Sequence, residues 1–246
     1  MVSKRPYCSL GFLESKSFKI MCSNFQPIKR SRTSWVKQIF DCNMPASEWR
    51  DEAYPTYRAP FIHLKDGDPK CELAQFGLVP PWAPDKKKFV LKTYNARSET
   101  VHEKPSYRSA WKERRFGLVL MDSFYEPNWA SGKAIRWRIK RADNQPTVAA
   151  SIWERTIDRD TGEIILSFSM LTVNADSHDV MQHFHKPQDE KRSIVVLNES
   201  EYLPWLYANH EKAQSLLKLT PSEFLTIEPA PVFRHSKVIN TDLLQG

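Results

Sequence analysis

A cysteine at position 22 stands directly after a methionine, and that order matters chemically. If translation begins at Met21, removal of Met before a small residue leaves Cys22 with a free α-amine and a thiol on adjacent carbons. Such a 1,2-aminothiol condenses with an aldehyde to a five-membered thiazolidine ring. Its amine, with a reference pKa of about 7.7–8.0, is partly unprotonated at neutral pH. An internal cysteine carries an amide there and cannot close the ring. The plainer alternative is a small buried cysteine, since free Cys is among the most buried residue types.

Three later segments hold groups that could serve such a nucleophile: Tyr94-Asn95-Ala96-Arg97-Ser98-Glu99-Thr100, Phe124-Tyr125-Glu126, and Leu171-Thr172-Val173-Asn174-Ala175-Asp176 running on to Phe184-His185-Lys186-Pro187. Asn95 is a preferred type for a helix N-cap. Arg97 either pairs with Glu99 on a solvated helix or clamps a phosphate, for which a guanidinium fork is suited. Glu126 ends an apolar run; a carboxylate buried there without a partner is costly and its pKa rises. The bland alternative is a surface glutamate. Three histidines stand close together here, His178, His183 and His185, and His183 reads as a capping or surface residue. An imidazole can relay protons near neutral pH.

Taken together and in this order, with Phe76-Gly77-Leu78-Val79-Pro80-Pro81-Trp82-Ala83 as a further block, these segments resemble the SOS-response-associated peptidase family, abasic-site-processing proteins that crosslink themselves to damaged single-stranded DNA. The resemblance spans roughly residues 21–236. It implies Cys22 as nucleophile and Asn95 as a site amide bonding the opened sugar or the cysteine amine. It also implies Glu126 as general acid and base and His185 as stabiliser of a Schiff base or proton relay, with no metal and no cofactor. Arg97, Trp82 and Thr172 are the implied DNA contacts. The implied partner is single-stranded DNA with abasic sites, met by replication machinery, for a monomer in the cytoplasm or nucleus.

Composition agrees with this without producing it. The 246 residues carry a formal charge of +7, are 41% hydrophobic and 12% aromatic, enough to bury a core and to attract an anionic partner. Lys4, Arg5, Lys16 and Lys19 against Glu14 make a net +3 of that total, leaving +4 for residues 21–246. Basic and aromatic residues interleave: Lys86, Lys87 and Lys88 after Trp82, Arg114 and Arg115 after Trp111, Arg136 and Arg138 around Trp137, then Lys186, Lys191 and Arg192. Phosphates attract such cations, and unstacked bases lie on rings. The spacing of Cys8, Cys22, Cys42 and Cys71 matches no zinc or redox pattern. No apolar run reaches membrane-span length, and residues 1–20 make a poor signal peptide.

Residues 60–64, 72–79, 116–121, 134–139, 147–153, 164–173 and 193–197 read as strands. Asp66-Gly67, Ser131-Gly132 and Thr161-Gly162 fall between them as turn signals. Helices are expected at 34–41, 98–112 with a break at Pro105, 177–184, 199–207 and 221–225. The pattern predicts meandering antiparallel strands. The resemblance implies an α+β fold in a single domain, a mainly antiparallel β sheet curled into a barrel-like core with peripheral helices. Asn95 would open a helix, Glu126 would follow a strand and His185 would end a short helix.

Two departures from the family pattern stand out. Cys22-Ser23-Asn24-Phe25 replaces the usual Cys-Gly-Arg-Phe, removing an arginine near the nucleophile. Pro127 and Asn128 replace a usual Trp-Lys pair, with Trp129 as a nearby ring. Residues 1–20 form an N-terminal extension ahead of the 21–246 domain, explained by a wrongly assigned start, by a removed propeptide, or by a chain that only binds DNA. The family is also linked to autopeptidase activity, which brings hydrolase and lyase classes into view. The rival activity is a conventional cysteine peptidase in which His185 deprotonates Cys22 and Asn95 orients the histidine. A third reading is a non-catalytic nucleic-acid-binding module.

Overall fold

The computed structural model describes residues 22–158 and 161–231. The proposed extension, residues 1–20, lies outside them, as do Met21 and Cys8. In chain order the elements are β1 (Asn24–Pro27), α1 (Thr33–Phe40), β2 (Arg58–Lys65), β3 (Asp68–Phe76), α2 (Lys86–Val90), β4 (Asn95–Arg97), α3 (Arg108–Lys112), β5 (Phe116–Asn128), β6 (Ile135–Arg141), β7 (Thr147–Ile157) and β8 (Ile164–Asn174). A 3-10 turn at Met181–His183 follows, then β9 (Arg192–Ile194), α4 (Tyr202–Leu206), α5 (His210–Leu216) and β10 (Leu225–Pro229).

Five strands close a mixed barrel, pairing β2–β3–β8–β7–β5 and back to β2. Four of those pairings are antiparallel; β3 and β8 run parallel, with Gln75 opposite Ser167 and Phe76 opposite Phe168. β4 also joins β8 in parallel, while β1, β6, β9 and β10 extend the sheet antiparallel. The single α+β domain with a curled sheet and peripheral helices is therefore present. All seven expected strands form.

The strands read as apolar runs because both faces of the barrel wall are buried. Inward, Phe25, Phe61, Phe76 and Phe168 are fully buried, and Phe168 stacks on Phe61 at 5.1 Å and on Phe76 at 5.3 Å. Outward, Ile62, Leu118 and Leu120 pack with Phe40, Tyr202 and Trp205 beneath α1 and α4. Each such side chain contributes roughly 1.5–3 kcal/mol by leaving water. Asp66 and Gly67 both take positive φ, 56° and 94°, the backbone of the tight turn that joins β2 to β3.

Three expected helices differ. In segment 98–112 only Arg108–Lys112 is helical, because Pro105 interrupts it and the residues before it form successive turns. Segment 177–184 contributes only the 3-10 turn. In 221–225 a 3-10 turn at Ser222–Phe224 leads into β10, which pairs with β6. Sheet pairing overrode local propensity there.

Candidate active site

β1 lies against the far half of β5, with Asn24 opposite Tyr125 and Phe25 opposite Phe124. That register lays Cys22, at the start of the described chain, beside Glu126. The thiol is buried at 1% exposure. Burial first, then the negative charge of Glu126, push it well above the ordinary thiol range.

Asn95 is on β4 and not at a helix start, because the segment pairs with β8, Asn95 opposite Met170. Its Nδ2 donates to the Cys22 carbonyl at 3.0 Å, while its Oδ1 is buried without a partner. The main chain of Asn95 is held in turn by the Tyr107 hydroxyl, which donates to its carbonyl at 2.9 Å.

Glu126 lies within β5, two residues before its end, and is 3% exposed. His185 follows the 3-10 turn; its amide donates to the Pro127 carbonyl at 3.0 Å, and Trp129 N–H donates to the His183 carbonyl at 3.3 Å. These main-chain bonds lay the loop along the end of β5. His185 takes φ 65°, a left-handed conformation uncommon outside glycine and one that clusters at functional sites. Its Nε2 stands 3.4 Å from Glu126 Oε2. The geometry falls short of a hydrogen bond, and both ring nitrogens are buried without a partner. Burial is the strongest single influence and pulls the imidazole down, but the charge and the close approach of the Glu126 carboxylate together outweigh it, so the His185 pKa is raised. His183 is exposed.

A cavity of ≈ 450 Å3 opens over this pair, walled by Tyr54, Tyr125, Trp129, Arg136 and Lys186. Trp129 supplies the ring expected near the Pro127 departure. Arg136 Nη2 donates to Asn24 Oδ1 at 2.6 Å and to Glu52 Oε1 at 2.7 Å, and its guanidinium lies 3.4 Å over the Tyr125 ring. A guanidinium thus stands in the cavity although Asn24 replaces the arginine after the cysteine. Tyr54 and Glu52 belong to a loop without a motif, brought here by the Phe25–Ala53 bridge. No pattern in the sequence marks them.

The expected DNA contacts are dispersed. Arg97 shares a strand face with Asn95, two residues on, and pairs with Glu190 at 2.7 Å and not with Glu99, which bonds Arg192. Thr172 is 1% exposed and its hydroxyl accepts from Arg192 Nε at 3.2 Å, so its side chain does not reach the surface. Arg192 itself is 2% exposed, and Trp111 is core; neither faces outward as the interleaved pattern led one to expect. Trp82, half-exposed, lines a separate cleft of ≈ 580 Å3 with Lys86 and Lys87. Among the described residues, no three His, Cys, Asp or Glu side chains are grouped to hold a metal ion, and no helix is long and apolar enough to cross a membrane.

The chain resembles known proteins over most of this framework. It is 32% identical over 148 residues to the abasic site processing protein YoqW of Bacillus subtilis, covering 58% of this chain and 62% of the relative. It is 25% identical over 187 residues to the abasic site processing protein HMCES of Xenopus tropicalis, covering 68% and 54%. The chain thus spans about half to three-fifths of the length of these relatives. Among solved structures, a protein from Bordetella bronchiseptica superposes with a TM-score of 0.78 at 31% identity, over 86% of this chain and 100% of that one. A protein from Bacteroides thetaiotaomicron shares the fold at a TM-score of 0.69 and 21% identity, over 85% and 91%. The family model for the SOS response associated peptidase matches residues 21–236, and with the barrel and its cysteine, asparagine, glutamate and histidine in one place, the chain belongs to the SOS response associated peptidase (SRAP) family.

Proposed function

We propose that this protein processes abasic sites in single-stranded DNA by forming a covalent thiazolidine between Cys22 and the sugar aldehyde. The observation that carries this reading is the buried Glu126–His185 pair beside Cys22, in a cavity large enough for a nucleotide. The chemistry requires Cys22 to carry a free α-amine, so cleavage of the Met21–Cys22 bond must come first. A peptidase or autopeptidase step belongs there.

As the cyclic deoxyribose opens, the Glu126 carboxylate takes the proton of the C1 hydroxyl and delivers it to the departing ring oxygen, so the aldehyde is exposed with no net change of protons. The Cys22 amine adds to the aldehyde carbon, water leaves, and an imine forms; His185 as imidazolium supports that charge-changing step. The thiol then adds across the imine, its proton passing to nitrogen, to close the ring. Aldehyde and aminothiol give thiazolidine and one water, with no change of oxidation state and no cofactor needed. The free Asn95 Oδ1 accepts from the amine or a sugar hydroxyl. Ring opening without such trapping would expose the strand to β-elimination, the lyase outcome.

The thiol's raised pKa weighs against the conventional cysteine peptidase. Thiol peptidases depend on a depressed pKa and a base that takes the thiol proton. Here the acidic neighbour of Cys22 is a carboxylate, and the histidine pairs with that carboxylate.

The test mixes protein beginning at Cys22 with a single-stranded oligonucleotide carrying one abasic site. A denaturation-resistant adduct is expected, and none from Cys22→Ala. Absence of the adduct from the Cys22-initiated form, or turnover of a peptide in trans by a form with alanine ahead of Cys22, overturns the reading.

A further inference from the structure

The outer face of β6 carries a row of cations that leads away from the site. Arg136, Arg138 and Lys140 alternate with Trp137 and Ile139, so the three project from one face of the strand, while Ile139 is fully buried and Trp137 packs against the barrel core. Arg136 lines the cavity over Glu126 and His185. Arg138, the next in the row, stands 5.7 Å from the same Tyr125 ring that Arg136 covers. Arg138 and Lys140 then line a second cavity of ≈ 410 Å3, with Lys29 and Arg32 on its other wall.

Two features of that second cavity suit it to an anionic ligand. The Arg138 Nε is buried and has no hydrogen-bond partner. Lys29 and Lys140 make no ion pair among the described residues, whereas Arg136 is held by Glu52 and Arg138 by Glu228 at 2.9 Å. The one acid in the wall, Asp122, is half-buried with Oδ1 unpartnered. Four cations, Lys29, Arg32, Arg138 and Lys140, face that single carboxylate, so the cavity is cationic. Steps of two residues along a strand are about 7 Å apart, close to the separation of successive phosphates in an extended single strand.

We propose that the β6 row from Arg136 through Arg138 to Lys140, completed by Lys29 and Arg32, carries the backbone phosphates of the DNA strand on one side of the abasic nucleotide. This rests on the abasic-site reading and adds a direction to it: one flank of the lesion follows β6 and the other does not. The two unpaired lysines meet the phosphates directly. Arg136, whose donors are largely engaged by Asn24 and Glu52, fixes the point at which the strand enters the cavity.

The experiment uses Lys29→Glu/Lys140→Glu, with Lys112→Glu/Lys212→Glu as a control of equal charge change, and three oligonucleotides of equal length. A stable abasic analogue lies near the 5′ end, in the middle, or near the 3′ end. Binding is measured by fluorescence anisotropy over a salt series, with thermal melts to establish that each variant is folded. Loss of two phosphate contacts predicts a salt slope lower by about 1.4, at about 0.7 per contact on single strands, and affinity reduced tenfold or more. The loss should appear with the middle oligonucleotide and with one end-placed one, and spare the other. Equal losses on all three, equal losses in the control variant, or no loss overturns the β6 path. No binding of any oligonucleotide by the unaltered protein overturns the function with it, so the two failures are distinguishable.

Discussion

Replacing Glu126 with glutamine keeps the volume and removes both the charge and the transferable proton, which separates its two duties at the site. Adduct formation by Glu126→Gln under single turnover should slow by roughly 10²–10⁴, the usual span for a lost general acid or base. Affinity for undamaged single strands should hold or rise slightly; a wild-type adduct rate would remove Glu126 from the chemistry. The same substitution acts on His185. In the native protein the Glu126 charge lifts the imidazole above its ordinary value against burial. In Glu126→Gln, burial and the Lys191 charge remain against Asp189 alone, so the midpoint should drop below 6.5, the unperturbed value, in an NMR titration of the ring protons. Because the native pKa is raised, protonation of His185 stabilises the fold fully below that ordinary value. The contribution fades as pH rises through the elevated one. The melting-temperature gap between wild type and His185→Gln should therefore narrow as pH climbs through that interval.

At the scale of elements, close packing between strands is enforced by residues too small to resist it. A Cβ on Gly117 would stand 2.2 Å from Phe61 Cζ and 2.9 Å from the Ile62 carbonyl, so β2 and β5 approach as they do only because position 117 is bare. Gly117→Ala should cost about 1–3 kcal/mol in urea denaturation, the range for overpacking. Adding Phe61→Leu should recover part of the loss, and a purely additive double variant would show that the clash lies elsewhere. The strands were legible in sequence because long Val, Leu, Ile and Phe runs mark walls buried on both faces. What could not be read were β1, β4 and β10, each five residues or fewer. Strands that short leave no periodicity, β9 being marked only by the apolar run that continues to Leu197, and their pairing is decided by partners distant in sequence. Asn95 was accordingly expected at a helix start, although its motif did pair it with Cys22, to whose carbonyl its side chain donates. Tyr54, Glu52 and the Asn24–Arg136 bond were not, since nothing local announces that a polar loop will be carried across the barrel mouth.

For the molecule as a whole, the reactive amine exists only if nothing precedes Cys22. One alanine placed before it should leave the melting temperature unchanged and abolish the adduct, as read by denaturing gel and mass spectrometry; an adduct at the normal rate would show that the thiol alone suffices. The barrel's closure bears on the time at which that amine acquires its surroundings. β3 waits for β8 to seal the cylinder through Gln75–Ser167 and Phe76–Phe168. At translation rates of 5–20 residues per second, the interval is on the order of ten seconds. Within it Cys22 is already made, Glu126 arrives about halfway with β5, and His185 follows only after β8, while the phenylalanines of β2 and β3 stay uncovered. Pairings so remote in sequence also slow folding in solution. Ribosome-stalled chains ending before Ile164 should thus be open to protease and inert towards abasic DNA. Chains extended far enough for residue 197 to clear the exit tunnel should acquire protection and reactivity together, making crosslinking a clock for the moment the cylinder shuts.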